Sequence, residues 1–221
     1  MTNTNKRVYT RESDLLKTYK QALESAKYLK DIDDKLLCYG DVIRFCAKSD
    51  RCAEKQSVKR NQILFWTYNN IGDLFLQKDT HHFEEANYKN ALDSYQNALE
   101  FSKSQTDQAD VLTKIRDIYL SLDRKKEADE TSLRLAQYVD DALKIEMFLN
   151  LANTSQTKSE ESYFLEQALK YASSEKISFL KTCQNRLYIC ARLLQIYQKA
   201  RLKADILRIE NIKKQTLQNL N

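Results

Sequence analysis

Residues 65–103 read FWTYNNIGDLFLQKDTHHFEEANYKNALDSYQNALEFSK, and this stretch decides the fold. Apolar and small residues recur in it at three- and four-residue steps: Tyr68, Ile71, Gly72 and Phe75, then Ala91, Tyr95 and Ala98. That spacing puts each set on one face of a helix, so the stretch reads as two amphipathic helices joined by a polar insert. The small residues on the second helix let a neighbouring helix approach closely.

Working outward, the same units recur. Segments beginning ALESAKYLK at Ala22, ALEFSKSQT at Ala98 and ALKYASSEK at Ala168 align without gaps over 24 residues. Tyr39-Gly40-Asp41 and Ile115-Arg116-Asp117 stand at equal offsets within the first two. The two glycines of the chain share one local context, Tyr39-Gly40-Asp41-Val42-Ile43 and Ile71-Gly72-Asp73-Leu74-Phe75, 32 residues apart. Further breaks between helices are expected at polar clusters, residues 31–34, 48–51, 105–108, 123–126 and 154–161, several of which supply Asp or Ser for N-capping. The count is ten or eleven helices between about residue 10 and about residue 218. Helix pairs with a period of 30–45 residues make a repeat array, in which each unit buries its apolar face against its neighbours.

Composition agrees. The chain has 221 residues, 42% apolar and 30% charged, with two glycines and no proline. Average usage would give about 15 Gly and about 11 Pro. β-Hairpin folds, Gly-rich phosphate loops and nucleophile elbows all need turn residues that are missing here. No run approaches the roughly 18 apolar residues of a membrane span, and the polar MTNTNKRVYTRESD start lacks a signal peptide's apolar stretch. The expectation is a soluble, cytoplasmic protein. Five cysteines, at 38, 46, 52, 183 and 190, fit reduced and mostly buried thiols.

The helix-pair motif resembles the tetratricopeptide repeat, whose 34-residue pattern is W-x2-L-G-x2-Y, then A-x3-F, then P. This chain has Tyr68-x2-Ile71-Gly72-x2-Phe75 followed by Ala91-x3-Tyr95, with about seven extra residues between the helices and Lys103 where the family often has Pro. Looser copies are Leu36-x2-Tyr39-Gly40-x2-Ile43 and Leu112-x2-Ile115-Arg116-x2-Tyr119 with Ala128. The resemblance covers about residues 12–200. It implies an all-α fold, an α-solenoid of about five antiparallel helix pairs in a right-handed superhelix. The organisation expected is a flexible N-terminus (1–10), a repeat domain (11–199) and a basic C-terminal capping helix (200–221).

The resemblance also implies a concave groove that holds a segment of a partner protein. Asp41, Asp73 and Asp117 follow the pattern's glycine position and would line it, together with Trp66 and Asn69 one or two turns earlier and with Asp110 and Thr113 on the next unit. The groove reading is an acidic, partly aromatic surface for a basic or polar peptide; the competing reading has each Asp capping or solvating a helix. Aspartates there would repel a carboxylate tail. The function expected is a non-enzymatic scaffold or adaptor, with self-association as a variation.

The alternative is a nucleic-acid-binding repeat. Residues 176–221 carry ten Lys/Arg and two acids, and the patch Lys199, Arg201, Lys203, Lys213 and Lys214 could contact phosphates or an acidic protein. Catalysis finds no support, since both histidines, His81 and His82, lie in the polar insert. Two adjacent histidines cannot present both rings to one metal from a regular helix, so neither a metal nor a cofactor is expected.

Overall fold

The computed structural model describes residues 12–48, 54–78, 85–172 and 179–220. The expected flexible segment 1–10 and the histidine insert at 79–84 lie outside the described residues. Among the described residues there are ten helices and no strand: α1 (Glu12–Tyr28), α2 (Ile32–Lys48), α3 (Glu54–Lys78), α4 (Glu85–Phe101), α5 (Gln105–Ser121), α6 (Lys125–Leu135), α7 (Asp141–Thr154), α8 (Lys158–Tyr171), α9 (Phe179–Lys199) and α10 (Lys203–Gln218). Among them none is long and apolar enough to cross a membrane. The described residues are all-α, and consecutive helices pack on one another in pairs.

The chain divides into two compact units, Met1–Thr131 and Ser132–Asn221. In the first, each helix from α1 to α5 packs on its sequence neighbour, and α1 also packs on α3. Three-residue connections, as at 29–31 and 102–104, force such neighbours antiparallel. One core cluster joins Tyr19 and Ala26 of α1, Tyr39, Val42 and Cys46 of α2, and Ile63 and Leu74 of α3. A second joins Phe65 of α3, Ala91, Tyr95 and Ala98 of α4, and Val111, Ile115 and Ile118 of α5. Ala91, Tyr95 and Ala98 are positions that the three- and four-residue spacing selected; Tyr68, Ile71 and Phe75, selected with them, are only partly buried against these clusters. In the second unit α7 packs on α8, α8 on α9 and α9 on α10, around residues such as Ile145, Leu151, Leu165, Ile189, Leu193 and Ile209.

A close approach between helices occurs at Gly72. A Cβ built there would lie 2.5, 2.7 and 2.8 Å from three ring atoms of Tyr95, so the ring rests directly on the α3 backbone. Only a residue without a side chain permits that approach. Gly40, in the same sequence context, has nothing within 4 Å of a built Cβ.

Helix starts follow the polar clusters, with one shift. The Asp31 carboxylate accepts from the Asp33 amide at 2.9 Å, and Asp140 caps α7 through the Leu143 amide at 2.9 Å. Thr157 and Glu160 form a reciprocal capping box on α8. Ser104 caps α5, so residues 105–108 are its first turn and not a break; the connection is Ser102–Ser104. Two of the described helices, α5 and α9, end in a left-handed turn made without glycine. The Asp123 and Arg201 backbones turn left-handed, with φ of 56° and 58°. Arg124 N–H then donates to Tyr119 C=O at 2.8 Å, and Leu202 N–H to Tyr197 C=O at 3.0 Å. Both are Schellman closures, a position that favours glycine because other residues pay a steric cost there.

Candidate functional site

The aspartates do not share equivalent helices. Asp73 and Asp117 lie on α3 and α5, the odd-numbered helices of unit one, whereas Asp41 lies on α2. Asp41 is solvent-exposed and pairs with Arg44 one turn later on its own helix. The matching Tyr-Gly-Asp and Ile-Gly-Asp strings are therefore on alternate members of the array.

The structure brings three of the expected residues together around a side chain that the sequence reading passed over, Lys114 of α5. Its ammonium donates to Asn69 Oδ1 at 3.0 Å and to the two Asp73 carboxylate oxygens at 2.9 and 3.2 Å. Asp110, one turn back on α5, approaches it at 3.5 Å. The same ammonium stands 5.4 Å from the Tyr95 ring centroid. Tyr95 donates its hydroxyl proton to Asp73 Oδ1 at 2.5 Å. Burial, and then the Asp73 carboxylate that the hydroxyl faces, push the Tyr95 phenol well above its usual range. Tyr95 is thus a fixed donor at every ordinary pH.

The cluster has a local cause. Asp110 and Lys114 are four residues apart, an acid one turn before a base, which places them on one helix face. Asn69 and Asp73 have the same spacing on α3. Gly72 lets the Tyr95 ring reach past the α3 backbone to Asp73. Two carboxylates and one ammonium leave the cluster with a net charge of −1, and most of the open surface is on Asp110, 59% exposed against 38% for Asp73.

The remaining expected residues sit apart from it. Trp66 is half-buried, stacks on Tyr19 at 5.6 Å between centroids and packs against both core clusters. That is a packing environment between helices. Thr113 turns its hydroxyl back to the Ala109 carbonyl at 2.8 Å. Asp117 is exposed and held by its neighbour Arg116 at 2.8 Å.

The basic residues fall in two places. Lys199, Arg201 and Lys203 are exposed around the α9–α10 connection. Lys213 and Lys214 lie ten and more residues further along α10, about 15 Å at 1.5 Å per residue. Two other basic residues of the region are spent internally: Arg208 pairs with Glu166, and Arg192 with Glu161 at 2.5 Å. Burial raises the Glu161 carboxyl, but Lys158 and Arg192 outweigh it and hold the group below its usual range.

Among the described residues no group of His, Cys, Asp and Glu could hold a metal ion. Cys38, Cys46, Cys183 and Cys190 are free thiols; all but the half-buried Cys38 are buried. Burial pushes the Cys46 thiol up to about 11.

No protein-family model and no curated relative matches the chain. Solved structures to which it is similar include a Podosopora anserina chain of nearly identical TPR-like repeats, described as a kinesin light chain, at 12% identity and a TM-score of 0.43, covering 96% of this chain and 98% of that one. Another is MamA, at 12% identity and a TM-score of 0.38, with the same two coverages.

Proposed function

We propose that this chain is a non-enzymatic interaction module, an adaptor acting in the cytoplasm, that holds a segment of a partner protein against the Asn69–Asp73–Asp110–Lys114 face of its first unit. The observation that carries this reading is the residual charge of that cluster. Lys114 neutralises Asp73 from within, and Asp110 remains as the outward-facing carboxylate. Such a surface favours a partner segment that presents a basic or polar side chain, and charge of this kind sets register and on-rate more than affinity. Buried, free thiols fit a reducing compartment. Residues 11–199 form the repeat region in this reading, and residues 200–221 close it as a basic capping helix.

The test uses the exposed acids, because Asp73 is tied into packing through Tyr95. Wild type and an Asp110→Lys/Asp117→Lys variant are compared in affinity capture from native lysate with mass spectrometry and nuclease treatment. A control variant neutralises Lys199, Arg201 and Lys203. Loss of a protein partner from the acid variant alone supports the reading. Binding that survives it but disappears with nuclease, or in the control variant, refutes the reading and returns the function to the basic face.

A further inference from the structure

α10 packs on α9, with Ile209 and Thr216 buried. A surface helix of this kind normally turns charged and polar side chains outward. α10 does not do so throughout: Leu207 is 61% exposed and Leu217 45%. Between them stand Glu210 and Lys214, both exposed. The four follow one another at steps of three, four and three residues, which sets them on one stripe. That is the spacing of a coiled-coil seam. The buried residues Ile209 and Thr216 lie about a third of a turn round the helix from it. Glu210 and Lys214 make no ion pair or hydrogen bond with any described residue, although one turn separates them. Arg208, by contrast, is turned away from the stripe and donates to Glu166 of α8 at 3.2 Å.

The order of the four residues selects the occupant. Read from either end, the stripe is leucine, charge, charge, leucine, and the two charges are opposite in sign. Two copies laid antiparallel about a twofold axis at Ile212 set Leu207 opposite Leu217 of the second copy and Glu210 opposite Lys214 of the second copy. The axis makes each contact twice. A parallel pair would instead oppose Glu210 to Glu210 and Lys214 to Lys214, which is repulsive at both layers. An anionic lipid surface attracts Lys214 but repels Glu210 beside it. A second copy neutralises both charges and covers both leucines. Leu207 and Leu217 are about 15 Å apart along the helix, so the contact is about three turns long. One helix pair lies at the small end of specific interfaces, so a weak and reversible dimer is expected.

We propose that the outer face of α10 is a homodimer interface, in which two copies of this chain pair antiparallel through Leu207 and Leu217, with reciprocal Glu210–Lys214 ion pairs at the centre. It is separate from the acidic cluster of the first unit and does not depend on the function proposed above.

The test is sedimentation equilibrium of the full chain up to about 1 mM, with a dissociation constant expected near 0.1 mM, on the order of other small interfaces. All four positions are exposed, so substitutions there should leave the circular dichroism unchanged. Glu210→Lys alone and Lys214→Glu alone each bring like charges together twice and should weaken the dimer about tenfold or more. The double variant Glu210→Lys/Lys214→Glu should regain wild-type affinity, and so should an equimolar mixture of the two single variants. Leu207→Asn/Leu217→Asn should leave a monomer. The Asp110→Lys/Asp117→Lys variant should dimerise like wild type. A wild-type chain that is monomeric at about 1 mM, the weak end of specific affinity, overturns the proposal. So does a dimer indifferent to either single charge reversal, or one that the double variant fails to restore. A dimer lost in the Asp110→Lys/Asp117→Lys variant overturns it by placing the contact in the first unit. A monomer that instead co-sediments with phosphatidylserine vesicles overturns it in favour of a lipid surface.

Discussion

Gly72→Ala and Gly40→Ala should move stability in opposite directions, although both glycines are helical and share a sequence context. Replacing a mid-helix glycine by alanine gains about 1 kcal/mol from propensity alone. At Gly40 nothing opposes the gain, since no atom lies within 4 Å of the new Cβ. The expected change is a stabilisation of about 0.5–1 kcal/mol. At Gly72 the new Cβ lies 2.5 Å from the nearest Tyr95 ring carbon. Comfortable carbon contacts begin near 3.5 Å, so the ring must retreat by about 1 Å. It has nowhere to go: Tyr95 is fully buried and its hydroxyl is fixed to Asp73. Overpacking of this kind costs about 1–3 kcal/mol, and a weakened hydrogen bond to a charged acceptor adds about 1 kcal/mol or more. After the propensity gain, Gly72→Ala should destabilise by about 1–3 kcal/mol. Urea unfolding followed by circular dichroism reads both variants; at a slope of about 1–3 kcal/mol/M their midpoints should differ by roughly 1 M. A Tyr95→Leu background supplies the cycle, because with the ring gone Gly72→Ala should become neutral or stabilising. Gly72→Ala stabilising the wild-type chain as much as Gly40→Ala does would sink the argument.

Removing the Lys114 ammonium by Lys114→Met should leave Asp73 and Asp110 facing each other uncompensated and cost about 1–3 kcal/mol, read by the same unfolding assay; no loss would show the cluster to be ornamental. Asp123→Gly should stabilise by about 1 kcal/mol, because the left-handed turn after α5 carries a steric penalty for any side chain; a lower unfolding midpoint would contradict this. Glu161 has a folded-state carboxyl held below its usual range, so its contribution is complete above the unfolded value near 4.3 and is lost as the pH falls through the depressed value. The urea midpoint of Glu161→Gln should therefore approach that of wild type as the pH drops from about 6 to about 3; a constant gap would refute the assignment.

The sequence was most legible where periodicity and packing coincide. Ala91, Tyr95 and Ala98 were placed on one face by spacing, and all three are buried between α3 and α5. Gly72 was marked by its pattern, and its reason is the ring that rests on it. Asp41 shows where the reading stops. Its context has the same pattern as that of Asp73, apolar-Gly-Asp-apolar-apolar, but which member of a helix pair a string belongs to depends on counting helices along the array. The similar glycine contexts masked that count, whereas in the structure Gly40 lies on α2 with open space around it and Gly72 on α3 under the Tyr95 ring. Lys114 was missed for a related reason. Its spacing from Asp110 was visible, but its partnership with Asn69 and Asp73 is 41 to 45 residues away in sequence and arises only when α5 lies against α3. Cross-helix ion pairs leave no periodic trace. The break at 136–140 escaped notice because Ala136-Gln137-Tyr138-Val139 offers no polar cluster, Gly or Pro; Asp140, the N-cap of α7, was the available cue.

The buried thiols give the molecule a pair of internal clocks. Cys46 belongs to the first unit, Cys183 and Cys190 to the second, and all are enclosed. With its thiol near 11, Cys46 is about one part in a thousand thiolate at pH 8 even before steric protection. An alkylating reagent can therefore reach these sulfurs only during excursions that open the surrounding helices. The rate at which each cysteine acquires label, resolved by peptide mass, then measures how often its own unit breathes. Lengthening of one rate without the other on adding a ligand would assign that ligand to a unit, with no fluorophore or engineered residue required.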